Sequence, residues 1–151
     1  MSYDSTSDTM RHKERVRDMM TQLAKEILRR AQCHDDSKLK EPEKTIFDEF
    51  TPKLKGSTYG SDEYVGFLKS MGAALKHHYS TNAHHPEHNE ILIDGMTLLD
   101  VIEMYCDWAS ASERHENGSM FKSIGINKDR FKMSSQLTNI FYNSEKNKIV
   151  K

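Results

Sequence analysis

Five of the chain's eight histidines fall in one thirteen-residue stretch, KHHYSTNAHHPEH, from Lys76 to His88. Imidazoles titrate near neutral pH and fill a core poorly, so such crowding points to metal binding or proton handling. A second chemical cluster lies upstream in HDDSK, His34 to Lys38. An adjacent histidine and aspartate offer a nitrogen and an oxygen donor, a mixed set that suits a divalent transition metal. Alone the pair is common, and Asp35 or Asp36 could equally cap a helix or close a turn. Its company changes that reading. In TLLDVIEMYCDWASASER, Asp100, Glu103, Asp107 and Arg114 fall on one helical stripe at spacings of three, four and seven. A charged stripe of this kind is ordinarily a solvated face, but Leu98, Leu99, Val101, Ile102, Tyr105 and Trp108 surround it with apolar surface, so a stripe facing a site is an equal reading.

These groups need elements to carry them. Val16, Met20, Leu23, Ile27 and Ala31 recur at helical spacing and make one apolar stripe. Pro42 restarts the chain ahead of Phe47, Phe50 and Leu54. GSTYGSD ends in Ser61, an N-cap for a helix carrying Tyr64, Phe67, Leu68, Met71 and Leu75. That helix runs into the histidine cluster, where its period points His78 inward and turns His77 about 100° away. Pro86 ends the helix, leaving His84, His85 and His88 on a loop. Thr97 and Asp100 start the acidic helix, and a last helix is expected around Asp129 to Phe141, packed through Phe131, Leu137, Ile140 and Phe141. No alternating β-branched run competes. The expected fold is all-α with about five helices, organised as a mobile N-terminus over residues 1–8, one domain over 9–142 and a mobile polar tail over 143–151.

Composition narrows the function classes. With 22 basic and 23 acidic residues, no net field holds duplex nucleic acid or an anionic membrane, and an anionic ligand needs a local site. There is no secretory or transit pattern and no apolar run of membrane-spanning length, so a cytoplasmic protein is expected. Cys33 and Cys106 stand far apart, as reduced thiols do.

The ordered set of His12, HDDSK, the histidine cluster and a helical aspartate resembles the HD superfamily of helical metal-dependent phosphohydrolases. HDDSK, HHYSTNAHHPEH, EMYCDW and SIGINKDRF together look like an uncharacterised HD-like family common in bacteriophages and bacteria, over residues 9 to 141. The resemblance implies a metal held by His12, His34, Asp35 and Asp107, with His78 and His85 as the closest matches to the extra histidines of two-metal members. One or two divalent ions of manganese, iron, cobalt, nickel or zinc fit such ligands. His12 carries a geometric condition: on one unbroken helix it would lie about 33 Å from His34, so sharing an ion requires a reversal near Met20 to Ala24.

The expected activity is hydrolysis of a small phosphorylated substrate, a nucleotide, by metal-activated water, in host cytoplasm if the chain is phage-encoded. Asp36 is expected to position the water and Lys38 to reach a phosphate oxygen, while His84, His88 and Arg114 bind the phosphate. A di-iron HD-type oxygenase, or a helical module that binds metal or nucleotide without catalysis, are the alternative readings.

Overall fold

The computed structural model describes residues 3–58, 60–114 and 118–150. Among them are six α-helices, three short 3-10 turns and no strand. The chain divides into two compact units, Met1–His34 and Asp35–Lys151, and the division falls at the HD pair itself.

The first unit is helix α1 (Thr6–Cys33), with Asp8 in its first turn and Arg30 in its last, where each complements the helix dipole. The helix is continuous, with no reversal near Met20 to Ala24. His12 and His34 are therefore about 33 Å apart along one axis. This corrects the ligand assignment of His12, which is exposed and cannot share an ion with His34. The apolar stripe from Val16 to Ala31 runs along α1 as the spacing required, yet no residue of α1 is buried.

The second unit holds α2 (Lys44–Gly56), α3 (Asp62–Thr81), α4 (Leu98–Glu113), α5 (Met120–Phe131) and α6 (Ser135–Lys146). Local chemistry sets most of their starts. Ser61 accepts from the Tyr64 N–H at 3.2 Å to open α3, and Thr97 with Asp100 forms a reciprocal capping box on α4. Ser119 and Ser134 cap α5 and α6 in the same way. The single last helix expected from the sequence is thus two helices, separated where Lys132 takes a left-handed conformation (φ 51°). Helix α6 continues to Lys146, past the boundary drawn at residue 143.

Two apolar clusters hold these helices. The main core lies among α4, α5 and α6, built on Met104, Tyr105, Met120, Ile124, Phe131 and Phe141. Trp108 stacks on Phe131 (centroids 6.1 Å apart) and meets Phe141 edge-on at 5.9 Å, geometries that add to simple burial. Ile140, expected to pack, is exposed. Helix α2 packs on α3 through Phe50 and Phe67. Helix α3 changes direction at Gly72, whose φ of 29° suits a residue without Cβ. That kink lies between Met71 and Ala74, both buried, and the second half of the helix delivers His78 to the interior. No helix among the described residues is long and apolar enough to cross a membrane.

Candidate metal centre

Asp35 sits in a left-handed conformation (φ 61°, ψ 15°), one that aspartate tolerates better than most residues. The turn that follows, Asp36–Leu39, closes through Lys38 N–H to Asp35 O at 2.9 Å and packs against α2 and α3. The Lys38 ammonium returns to Asp35 Oδ2 at 2.6 Å and lies over the Phe47 ring. One oxygen of Asp35 is thereby matched to a cation. Its other oxygen, Oδ1, faces histidines: His78 Nε2 at 3.4 Å and His84 Nε2 at 3.5 Å.

His85 completes the group. Its Nε2 lies 2.8 Å from His78 Nε2, so two ring nitrogens point at each other and at most one can carry a proton between them. One donor atom each from Asp35, His78, His84 and His85 lies within 4.8 Å of all the others. Ligands about 2.1 Å from a cation stand about 3 to 4.2 Å from one another, so small side-chain adjustments fit an ion among these four. Three nitrogens and one oxygen are a donor set for a divalent transition metal.

The far sides of two of these rings show why their Nε2 atoms are available. His78 Nδ1 meets Glu43 Oε2 at 2.9 Å, and His84 Nδ1 meets Glu103 Oε1 at 3.2 Å. A carboxylate on Nδ1 holds the proton there and leaves a lone pair on Nε2, the arrangement that metal-binding histidines use. Glu43 is fully buried, with 0% exposure, and its other partners are Ser37 Oγ at 2.9 Å and His77 Nδ1 at 2.7 Å. Burial alone would push the Glu43 carboxyl up, but hydrogen bonds from His77, Ser37 and His78 outweigh it and hold the group ionised below its ordinary range. Asn82 braces the same network, donating to Ser37 Oγ at 2.9 Å and to the His78 carbonyl at 2.8 Å.

Electrostatics favours neutral rings. Burial is the main cause that lowers His78, reinforced by the Lys38 charge and opposed by Asp35 and Glu43. Burial likewise leads for His85, pushed down to about 3 with help from His84 and His78 against the charge of Asp107. At neutral pH both rings are unprotonated, as a ligand must be.

The structure brings Asp35, His78 and His85 together, and the helical period placed His78 inside and His77 outside the group. His84 differs from expectation: it lies in the ligand cluster instead of serving as a phosphate contact. The loop His84–Asn89 folds back because His85 N–H bonds Asn82 O and the turn Pro86–His88 follows. His88, expected at the phosphate, is exposed and engages the Tyr79 carbonyl at 3.0 Å through Nδ1, which ties the loop to α3. His34 is half-buried and forms the C-cap of α1 directly before Asp35. Asp36 is exposed at the first position of its turn.

The acidic stripe of α4 divides its work. Asp100 is buried in the capping box, Glu103 holds His84, and Asp107, half-buried one turn further, acts on His85. Arg114 is exposed at the C-cap, about 10 Å along the axis from Asp107, so its side chain is not part of this cluster. Glu43 is the residue that sequence reasoning missed. In EPEK it looks like any solvated glutamate, and only its position after Pro42 at the start of α2 offered a hint.

Fold and site together define an all-α protein with a buried histidine and aspartate cluster able to coordinate a metal ion. The chain belongs to the family of unknown function DUF5662, which matches it over residues 1–151. No curated protein and no solved structure matches it.

Proposed function

We propose that the protein is a metal-dependent phosphohydrolase of the HD type, acting on a small phosphorylated substrate, a nucleotide. The observation that carries this reading is the convergence of Asp35 Oδ1 with the Nε2 atoms of His78, His84 and His85, beside a lysine already paired to the same carboxylate. A divalent cation held there supplies Lewis acidity, lowering the pKa of a water and offsetting charge on phosphoryl oxygens.

The chain's own residues do the rest. Asp35 would hold the ion with the carboxylate oxygen that faces the histidines, while its Oδ2 positions Lys38, whose ammonium could then donate to a phosphate oxygen. Glu43 and Glu103 keep His78 and His84 in the ligating tautomer. Asp107, close enough to act on His85, supplies the second carboxylate, either as a further ligand or as the acceptor of the proton that the water releases. Lys38 is thus kept in the role expected for it. Asp36 and Arg114 are given none, because both are exposed and neither belongs to the four-residue cluster.

The test begins with elemental analysis of freshly purified protein, followed by a panel of nucleoside mono- and triphosphates assayed with the metal found. Hydrolysis that disappears in Asp35→Ala, with helical content retained, supports the reading. A wild type that binds metal stoichiometrically but is inert toward every phosphate ester turns the assignment to a non-catalytic module. A redox-active iron pair that consumes oxygen turns it to an oxygenase.

A further inference from the structure

The four donors of the metal centre are not held alike. His78 Nδ1 meets the Glu43 carboxylate at 2.9 Å and His84 Nδ1 meets Glu103 at 3.2 Å, so both rings are fixed in place and in tautomer. The His85 ring has no such partner. Among the described residues its one hydrogen bond is the Nε2 contact with His78 at 2.8 Å, and otherwise it rests on the rings of His84 and Tyr79, with centroids 4.3 and 4.9 Å away. Such ring contacts fix orientation less tightly than a charge-assisted hydrogen bond does. Building on the phosphohydrolase reading, we propose that His85 is the exchangeable ligand of the centre, the donor that yields its place to a phosphate oxygen while Asp35, His78 and His84 keep the ion.

The place of one proton supports the same assignment. The Glu43 carboxylate can only accept, so His78 carries its proton on Nδ1 and presents a lone pair at Nε2. Across 2.8 Å, His85 Nε2 must then be the donor. Without metal, His85 therefore stands in the tautomer that cannot ligate through Nε2, whereas His78 and His84 already present theirs. To join the ion, His85 has to carry its proton on Nδ1 instead, where no acceptor waits among the described residues.

Chemistry at the centre calls for such a ligand. A hydrolytic site keeps a coordination position open, and four protein donors close a tetrahedral one. Releasing His78 or His84 would leave its ring still clamped by Glu43 or Glu103, and releasing Asp35 would strip the ion of its one anionic donor among the four. The exchange at His85 balances without a further reactant. The bond from the ion to a neutral imidazole nitrogen breaks, a bond to a phosphoryl oxygen forms, and no proton or electron changes hands. Only the side chain needs to turn. The short turn Pro86–His88 is tied to α5 by Glu87 with Arg130 and to α3 by His88 Nδ1 with the Tyr79 carbonyl, so the backbone can stay where it is.

Two measurements on the full-length protein test this. In the cobalt(II)-loaded wild type, each histidine ligated through Nε2 shows its Nδ1 proton as a paramagnetically shifted NMR line. Three such lines are expected: two, held by Glu43 and Glu103, persist after transfer to deuterium oxide, and the third, missing in His85→Gln, exchanges fast. Saturating inorganic phosphate should remove the third line and leave the other two. Zinc affinity gives the second readout, by competition with a chromophoric chelator. A carboxylate partner is worth about 10- to 100-fold to a histidine ligand, so His85→Ala should cost less than His78→Ala or His84→Ala by about that factor, with circular dichroism as the folding control. Two shifted lines from the outset, three that all survive phosphate, loss of a braced line, or a His85→Ala loss equal to the other two overturns the proposal. A protein that takes up neither cobalt nor zinc refutes the metal site itself. One that loses the His85 line to phosphate and yet hydrolyses no phosphate ester upholds the ligand exchange and refutes the hydrolase reading.

Discussion

Glu43 offers the sharpest test of how the site works, because it touches no proposed substrate and yet holds a ligand. In Glu43→Gln the amide oxygen can still accept from His78 and Ser37, which meet Oε2 at 2.9 Å each, while the amide nitrogen faces His77. What is lost is the charge. A hydrogen bond to a charged group contributes about 1.5–3 kcal/mol and a neutral one about 0.5–1.5, so the difference of about 1–1.5 kcal/mol is about tenfold in affinity. Glu43→Ala removes the acceptor altogether and leaves the Nδ1 proton of a 1% exposed His78 without that partner, so the ring is free to adopt the non-ligating tautomer. Loss of such an outer partner costs about 10- to 100-fold in metal affinity, and the alanine variant should fall at the upper end. Competition with a chromophoric chelator for zinc measures this directly, with circular dichroism as a folding control. His77→Ala, which removes a bond from the opposite oxygen of Glu43, should change affinity far less. Wild-type affinity in folded Glu43→Ala would show that His78 does not depend on this carboxylate, and the carboxylate–histidine–metal reading would fail.

Other expectations follow from the same geometry. Because burial holds His85 at about 3 against an ordinary 6.5, the unfolded chain binds its proton first; stability of the metal-free protein should be full above pH 6.5 and decline as pH falls toward 3, and thermal melts should show a shallower slope in His85→Gln. Asp35→Ala should abolish hydrolysis and metal uptake, and Asp107→Ala should abolish hydrolysis, each with little change in helical content, read by activity assay, calorimetry and circular dichroism. Phe141→Ala, which opens a cavity beside Tyr105 and Trp108, should destabilise the protein by about 3–5 kcal/mol in a urea titration. Gly72→Ala places a Cβ on a residue with φ of 29° and should lower the melting temperature although nothing lies within 4 Å of the new atom.

The helical period did much of the work that sequence can do. It is a local property, set at 3.6 residues per turn, so it placed His78 inside and His77 outside and put Asp100, Glu103 and Asp107 on one face before any tertiary contact was known. Capping residues were equally legible at Ser61 and Thr97, because a side chain bonding a backbone N–H three residues away needs nothing distant. The break between α5 and α6 was not, since Lys132 reaches its left-handed conformation without the glycine that usually announces one.

Long-range facts belong to the tertiary structure. Resemblance suggested His12 as a ligand, and an unbroken α1 removed it, because continuity of a helix sets a distance that motif order does not encode. His84 joined the donor cluster, and Glu43 anchors His78 within it, through the fold of a loop and the start of α2, which lie about forty residues apart. The residue types for a metal site are thus written in the sequence. Which of them converge was decided by packing, since a donor atom binds an ion only where the backbone delivers it, and burial is what strips the proton that would otherwise occupy its lone pair.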